Sequence, residues 1–173
     1  MTSALAAFTL FHVLLSLIGI ATGFVVIFSW LRSETLERWT FVFLASTIAT
    51  SLTGFLFPFV RFLPSHATGI LSLLVLGLAL VSRYAYHLNG WFRGLFTVSA
   101  VTAQYLNVFV LIVQLFLKVP PLTELAPTQS ELPFLLAQGL SLVACIWLGI
   151  AVTRRSKNWP TSGTFSAERS ASN

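Results

Sequence analysis

The stretch FTLFHVLLSLIGIATGFVVIFSWL, at residues 8–31, decides the fold of this chain. It contains no charged side chain, and a helix of this length, rising about 1.5 Å per residue, crosses the roughly 30 Å hydrocarbon core of a bilayer. Arg32 and Arg38 follow the stretch and no Lys or Arg precedes it, whereas a signal peptide has its positive charges before a shorter apolar run. We therefore expect a transmembrane helix that is not cleaved.

Four more apolar runs are long enough to span a bilayer, at residues 39–62, 67–86, 91–117 and 133–152. Hydrophobic residues make up 56% of the 173 residues and charged residues only 9%, against roughly a quarter charged in an ordinary soluble domain. The sequence thus predicts an all-α membrane protein, a bundle of five transmembrane helices formed by residues 1–155. The polar tail at residues 156–173 is predicted to be disordered and cytoplasmic.

The positive residues indicate how the bundle is oriented, because short cytoplasmic loops carry the excess of Lys and Arg. With the N-terminus outside and the C-terminus in the cytoplasm, the outer ends of the helices carry only Arg61 and Lys118. The cytoplasmic ends then collect Arg32, Arg38, Arg83, Arg93, Arg154, Arg155 and Lys157. These cations are scattered singly and form no continuous basic face, so the predicted partner is the lipid bilayer and not nucleic acid.

No motif of a soluble enzyme occurs in the chain. A phosphate-binding loop, HExxH and GxSxG are all missing from the sequence. Cys145 is the single cysteine, which excludes an intrachain disulfide and a CxxC site, and it is expected to be a small buried apolar side chain. The chain is therefore expected not to be an enzyme.

Polar side chains inside two of the predicted helices form the first candidate site. Thr47 and Ser51 lie on one face of the second helix, and Gln104, Asn107 and Gln114 form a stripe on the fourth. A side-chain amide in hydrocarbon needs a hydrogen-bond partner, so the stripe is expected to face other helices or a cavity. Bonding between helices is one interpretation. A ligand site or the polar path of a small-solute permease is the other.

Three histidines form the second candidate site. His12 and His66 are predicted at the same outer level of two different helices, so both rings could ligate one haem iron, as in bis-histidine cytochromes of the b type. His87 is predicted at the opposite end and cannot join them. Arg61 lies in the same outer corner as His66. The long outer loop at residues 118–132 is expected to act as a packed lid or as a docking segment for another protein.

Three segments resemble small multi-pass inner-membrane proteins of proteobacteria. They are SLTGFLFPF at residues 51–59, LPSH at residues 63–66 and APTQSE at residues 126–131. The resemblance implies a bacterial inner, or plasma, membrane and transfers no catalytic residue. The leading hypothesis is an accessory or assembly component associated with other membrane subunits. A haem b or quinone-linked electron carrier that uses His12 and His66, and a small-solute permease, are the alternatives.

Overall fold

The computed structural model describes residues 3–57, 64–157 and 159, and these residues are helical with short connections. The long helices are α1 (Ser3–Leu31), α2 (Glu37–Gly54), α3 (Pro64–Leu80), α4 (Phe92–Lys118) and α6 (Leu132–Ser156), and α5 (Pro120–Leu125) is a short helix between the last two. Each of the five predicted stretches thus contains one long helix. The all-α class is confirmed.

Four helical segments are long and apolar enough to cross a membrane: Ser3–Leu31, His66–Ala85, Phe92–Lys118 and Leu132–Ser156. The helix α2 differs from them because it has 18 residues, begins with Glu37 and Arg38, and is rich in Ser and Thr. Its predicted end at residue 62 lies outside the described residues. A protein with several membrane-spanning helices is therefore supported, and α2 is the segment on which the count of five depends.

The bundle is built around α4. This helix packs against α1, α3 and α6, and α1 packs along its whole hairpin partner α2. The short connections, such as the one at residues 32–36, make consecutive helices antiparallel neighbours. As a result the C-terminal ends of α1 and α6 lie with the N-terminal ends of α2 and α4, and we call this the basic end of the bundle.

Aromatic side chains fill the core near the basic end. Trp30 and Phe96 are buried, and their ring centroids are 5.4 Å apart. Trp159 lies beyond the end of α6, yet it is only 5% exposed and its ring centroid is 5.4 Å from that of Trp30. The fold therefore extends past the predicted domain boundary at residue 155. Residues 160–173 of the predicted tail lie outside the described residues.

The last turn of the third segment is wound as a π-helix, Val81–Ala85. Its Arg83 forms an ion pair with Glu37 at the start of α2, and its guanidinium carbon lies 5.4 Å from the centroid of the Phe96 ring. A wider turn of this kind occurs where a side chain is needed in a position that a regular α-helix does not give. Here it accompanies a contact between α3, α2 and α4.

The segment after α4, predicted as a loop, is folded back onto that helix. It contains α5, and the hydroxyl of Thr123 donates a hydrogen bond to the Phe116 carbonyl at 2.8 Å. The Gln129 amide donates to the Val113 carbonyl at 3.1 Å. Phe116, Ala126 and Phe134 form a small buried cluster beneath it. The segment is therefore packed against α4, and its role as a lid or as a docking segment stays a prediction.

Glu131 holds the end of this segment in place. One carboxylate oxygen accepts bonds from the Thr128 hydroxyl at 2.8 Å and the Thr128 amide at 3.1 Å, and the other accepts from the Ser130 amide at 3.1 Å. Desolvation acts to raise the pKa of Glu131, but these hydrogen bonds outweigh it and leave the pKa below its usual 4.5. The bonds require the ionised carboxylate, so the turn depends on pH.

We predict that Phe96→Ala lowers the free energy of unfolding by about 3–5 kcal/mol, because it leaves a cavity among buried rings. Unfolding in mixed micelles measures the change. Phe28→Ala is the matched control, since Phe28 is 53% exposed on α1, and it is expected to change stability by less than about 1 kcal/mol. Equal effects of the two substitutions would contradict the described core.

We also predict that the amides of Thr128 and Ser130 lose protection from hydrogen exchange on acidification. Because the pKa of Glu131 is lowered in the folded state, its stabilisation is complete above 4.5 and is lost as the pH falls through the lower folded value. Exchange rates corrected for intrinsic pH dependence measure this. Glu131→Gln is expected to remove the pH dependence, and a variant that keeps it would show that another group is responsible.

Candidate functional site

The candidate polar site lies where α1, α2 and α4 meet. Gln104 and Asn107 reach it from α4, and Thr47 reaches it from α2. All three are buried, at 3%, 9% and 0% exposure. On α1 the site is bordered by Gly19 and Gly23, which are spaced so that one face of the helix lacks side chains. Three of the predicted site residues are thus brought together.

Gln104 occupies the groove that Gly23 leaves open. Its Nε2 donates a hydrogen bond to the Ile20 carbonyl at 3.0 Å. A Cβ added at Gly23 would lie 2.0 Å from the Gln104 Oε1 and 2.9 Å from a ring carbon of Phe43. The amide oxygen therefore fills the space of a missing side chain. It has no conventional hydrogen-bond donor among the described residues, and the Cα–H group of Gly23 faces it as a weak one.

Asn107 makes the second polar contact of this site. Its Nδ2 donates to the Thr47 Oγ1 at 3.1 Å, and both side chains are buried. The Thr47 Oγ1 and the Asn107 Nδ2 lie 3.1 Å and 3.6 Å from the Cβ position of Gly19. The two glycines thus allow three helices to approach closely enough for side-chain amides to bond across them. This arrangement joins helices and contains no nucleophile paired with a base.

The other polar residues of the first candidate site, Ser51 and Gln114, lie apart from Gln104, Asn107 and Thr47. Ser51 donates to the Ser72 hydroxyl at 3.1 Å and so links α2 to α3. Gln114 is exposed near the end of α4 that lies opposite the basic end. Gln138 of α6, which the sequence analysis did not single out, donates to the Phe109 carbonyl at 3.2 Å. A search for every buried amide in an apolar run would have found it.

His12 is anchored to α2. Its Nδ1 lies 2.8 Å from the Thr53 Oγ1, and that hydroxyl donates to the Ala49 carbonyl at 2.7 Å. When the Thr53 hydroxyl donates to the Ala49 carbonyl, it accepts from His12, and Nδ1 of His12 then carries the proton. The ring packs edge-on against Phe57, with centroids 5.2 Å apart. A histidine whose Nδ1–H is held by an acceptor has its Nε2 oriented in the way that metal-ligating histidines use.

His66 contacts a different aromatic ring at the end of the bundle opposite the basic end. Its ring centroid is 6.0 Å from that of Phe55, which also packs over Gly69. The rings of His12 and His66 thus lie near two different phenylalanines at the end of α2. Arg61 lies outside the described residues. Among the residues that the structure describes, no group of three or more His, Cys, Asp or Glu side chains could hold a metal ion.

The sequence analysis located the arginines of the basic end but not their contacts. Arg93 donates to the carbonyls of Ser156 and Trp159 at 3.1 Å and 3.2 Å, and so satisfies the C-terminal end of α6. Arg155 donates to the Leu31 carbonyl at the end of α1. Positive groups at helix C-termini bind the unpaired carbonyls and oppose the helix dipole. These arginines therefore tie the helix ends together.

No family model, curated protein or solved structure matches this chain. Its function is therefore inferred from the contacts described above.

We predict that Gly23→Ala destabilises the bundle by about 1–3 kcal/mol, because the new methyl group overlaps the Gln104 amide and the Phe43 ring. Unfolding in mixed micelles measures the loss. Gly77→Ala is the matched control, since a Cβ at Gly77 has no neighbour within 4 Å, and it should be neutral or stabilising because alanine favours helix.

The double variant Gly23→Ala/Gln104→Ala identifies the cause of the loss. If the amide is the obstacle, the Gly23→Ala substitution costs less in the Gln104→Ala background than in the wild type. Strict additivity of the two substitutions would place the strain elsewhere, on Phe43 or on the helix backbone.

Proposed function

We propose that this chain is a five-span protein of the bacterial inner membrane, with its N-terminus outside and its C-terminus in the cytoplasm. A fifth span is supported by α2, whose 18 residues reach about 27 Å and pack between α1 and α3. The ion pair of Glu37 with Arg83 lowers the cost of having charge at its end. The gathering of arginines at one end supports the orientation.

We further propose that it serves as a non-enzymatic accessory subunit of a larger membrane complex, with α6 as the docking helix. The observation that carries this is an exposed stripe on α6. Leu136, Leu140, Val143 and Trp147 follow one another at helical spacing and are 54%, 69%, 65% and 64% exposed. We call these four residues the α6 stripe.

Trp147 distinguishes the α6 stripe from an ordinary lipid-facing surface. It lies about 14 Å from the end of α6 at Ser156, deep within the span, whereas tryptophan in membrane proteins prefers the interfaces. Its indole N–H has no hydrogen-bond partner among the described residues. Such a group in hydrocarbon is costly. A partner helix with a hydroxyl or carbonyl acceptor would satisfy it, and tryptophan is a frequent anchor of protein interfaces.

The polar site described above supports the accessory role over the permease. Gln104 and Asn107 are bonded to neighbouring helices, and the space beside Gly23 is already filled. A solute path along Gln104 and Asn107 would require α1 to separate from α4. The permease hypothesis predicts that Asn107→Leu abolishes uptake into proteoliposomes, and the accessory role predicts only a loss of stability.

We predict that a partner stays bound to the wild-type protein at a fixed ratio through mild solubilisation of native membranes. Trp147→Leu is expected to weaken that complex about tenfold or more, because it removes a central anchor. Trp39→Leu is the matched control, since Trp39 is 48% exposed on α2, and it should leave the complex intact. Quantitative mass spectrometry of the purified complex measures the ratio. An equal ratio in all three proteins would contradict docking through the α6 stripe.

One observation favours the haem carrier as a second candidate. The Nδ1 of His12 is held by Thr53, which presents the other ring nitrogen for ligation. The hypothesis predicts a Soret absorption band in protein purified under haem-sufficient conditions, and its loss in both His12→Ala and His66→Ala. Thr53→Val should broaden or shift the band without removing it. A colourless wild-type protein would dismiss the hypothesis.

A further inference from the structure

The face of α6 next to the α6 stripe forms a groove with α4. The groove has a volume of about 600 Å³. Its α4 wall includes Val98 and Tyr105, and its α6 wall includes Leu142, Ile146 and Gly149. A Cβ at Gly149 would lie 3.8 Å from a methyl carbon of Val101, so the glycine is not required for close packing there. Its missing side chain widens the groove.

The length of the groove corresponds to one leaflet of a bilayer. On α6 it extends from Leu142 to Lys157, a distance of about 22 Å at 1.5 Å per residue. Half of a bilayer, including its headgroup region, measures roughly 20–22 Å. The apolar part of the groove therefore lies at the depth of the acyl chains, and its open end at the basic end of the bundle lies at the depth of the phosphates.

Two cations stand at this open end. Arg154 and Lys157 line the groove and are exposed. Arg93 and Arg155, by contrast, are bonded to helix ends. Within the described ranges, no carboxylate lines the groove or forms an ion pair with Arg154 or Lys157. The two side chains are therefore available for an anion.

We propose that this groove binds one anionic phospholipid from the leaflet at the basic end. The phosphate accepts hydrogen bonds from Arg154 and Lys157, and one acyl chain lies between α4 and α6 beside Gly149. Charge complementarity selects an anionic over a zwitterionic headgroup, since each cation near the surface adds about 1 kcal/mol of attraction. The site does not depend on the accessory role, because the groove and the α6 stripe lie on adjacent faces of the helix and share no residue.

Native mass spectrometry of the full chain in detergent tests the proposal. The probes are phosphatidylglycerol and phosphatidylcholine with identical acyl chains. The wild type is expected to bind one phosphatidylglycerol more tightly than phosphatidylcholine, and Arg154→Gln/Lys157→Gln to weaken phosphatidylglycerol binding about 30-fold. Arg32→Gln/Arg38→Gln is the matched control, because it removes two exposed cations that do not line the groove. It should leave the first binding event unchanged.

Gly149→Leu tests the apolar part with both cations in place. Its side chain enters the groove, so it is expected to reduce the affinity of both lipids about tenfold or more while helix content stays constant. Equal affinity of the wild type for the two lipids overturns the proposal, as does an equal loss in the two double variants, which would indicate general surface attraction. If Gly149→Leu fails to fold, the comparison of the two double variants decides.

Discussion

The structure depends on one constraint: a polar side chain within hydrocarbon must find its hydrogen-bond partner inside the protein. The amide nitrogens of Gln104 and Asn107 find their acceptors where Gly19 and Gly23 let α1 approach α4 and α2 closely. The two glycines and the two amides therefore act together, because the glycines leave the space in which the amides bond to neighbouring helices. Similar bonds, from Ser51 to Ser72 and from Gln138 to Phe109, extend the principle to α3 and α6. Hydrophobic burial alone does not favour contact between helices over contact with lipid, because lipid chains are as apolar as the core.

The sequence predicted the helices well because apolar run length and the positions of charges are local properties. The bundle class and one long helix in each of five stretches are confirmed. The level of each site residue along its helix follows from helical rise, and its depth in a membrane stays a prediction. The direction in which a residue faces could not be predicted, because it depends on neighbouring helices. His12 and His66 illustrate the difference, as they share a level but contact different rings. Trp159 was missed because its burial depends on Trp30, far away in sequence.

The surface of α6 is divided between two uses. One face has the α6 stripe with Trp147, and the adjacent face forms the groove with α4 and ends in Arg154 and Lys157. Besides the arginine bonds at the basic end, the polar contacts of α6 with α4 include those of Gln138 near one end and Thr153 near the other. The most apolar window of α6 is 6% buried, against 22% to 33% in the three other helices that are long and apolar enough to cross a membrane, so among these four it has the most surface available to lipid or to another protein. In the interior of the bundle, in contrast, the hydrogen bonds of Gln104 and Asn107 hold the helices together.

The burial of Trp159 against Trp30 has a consequence for biogenesis. Trp30 lies in the first helix to be synthesised, whereas Arg155, which bonds to the end of α1, lies in the last turn of α6, and Trp159 follows that helix. The hairpin of α1 and α2 must therefore wait in the bilayer with an incomplete aromatic core. Contacts between residues this distant in sequence form late in folding. During that interval the Trp30 ring lacks its contact with Trp159.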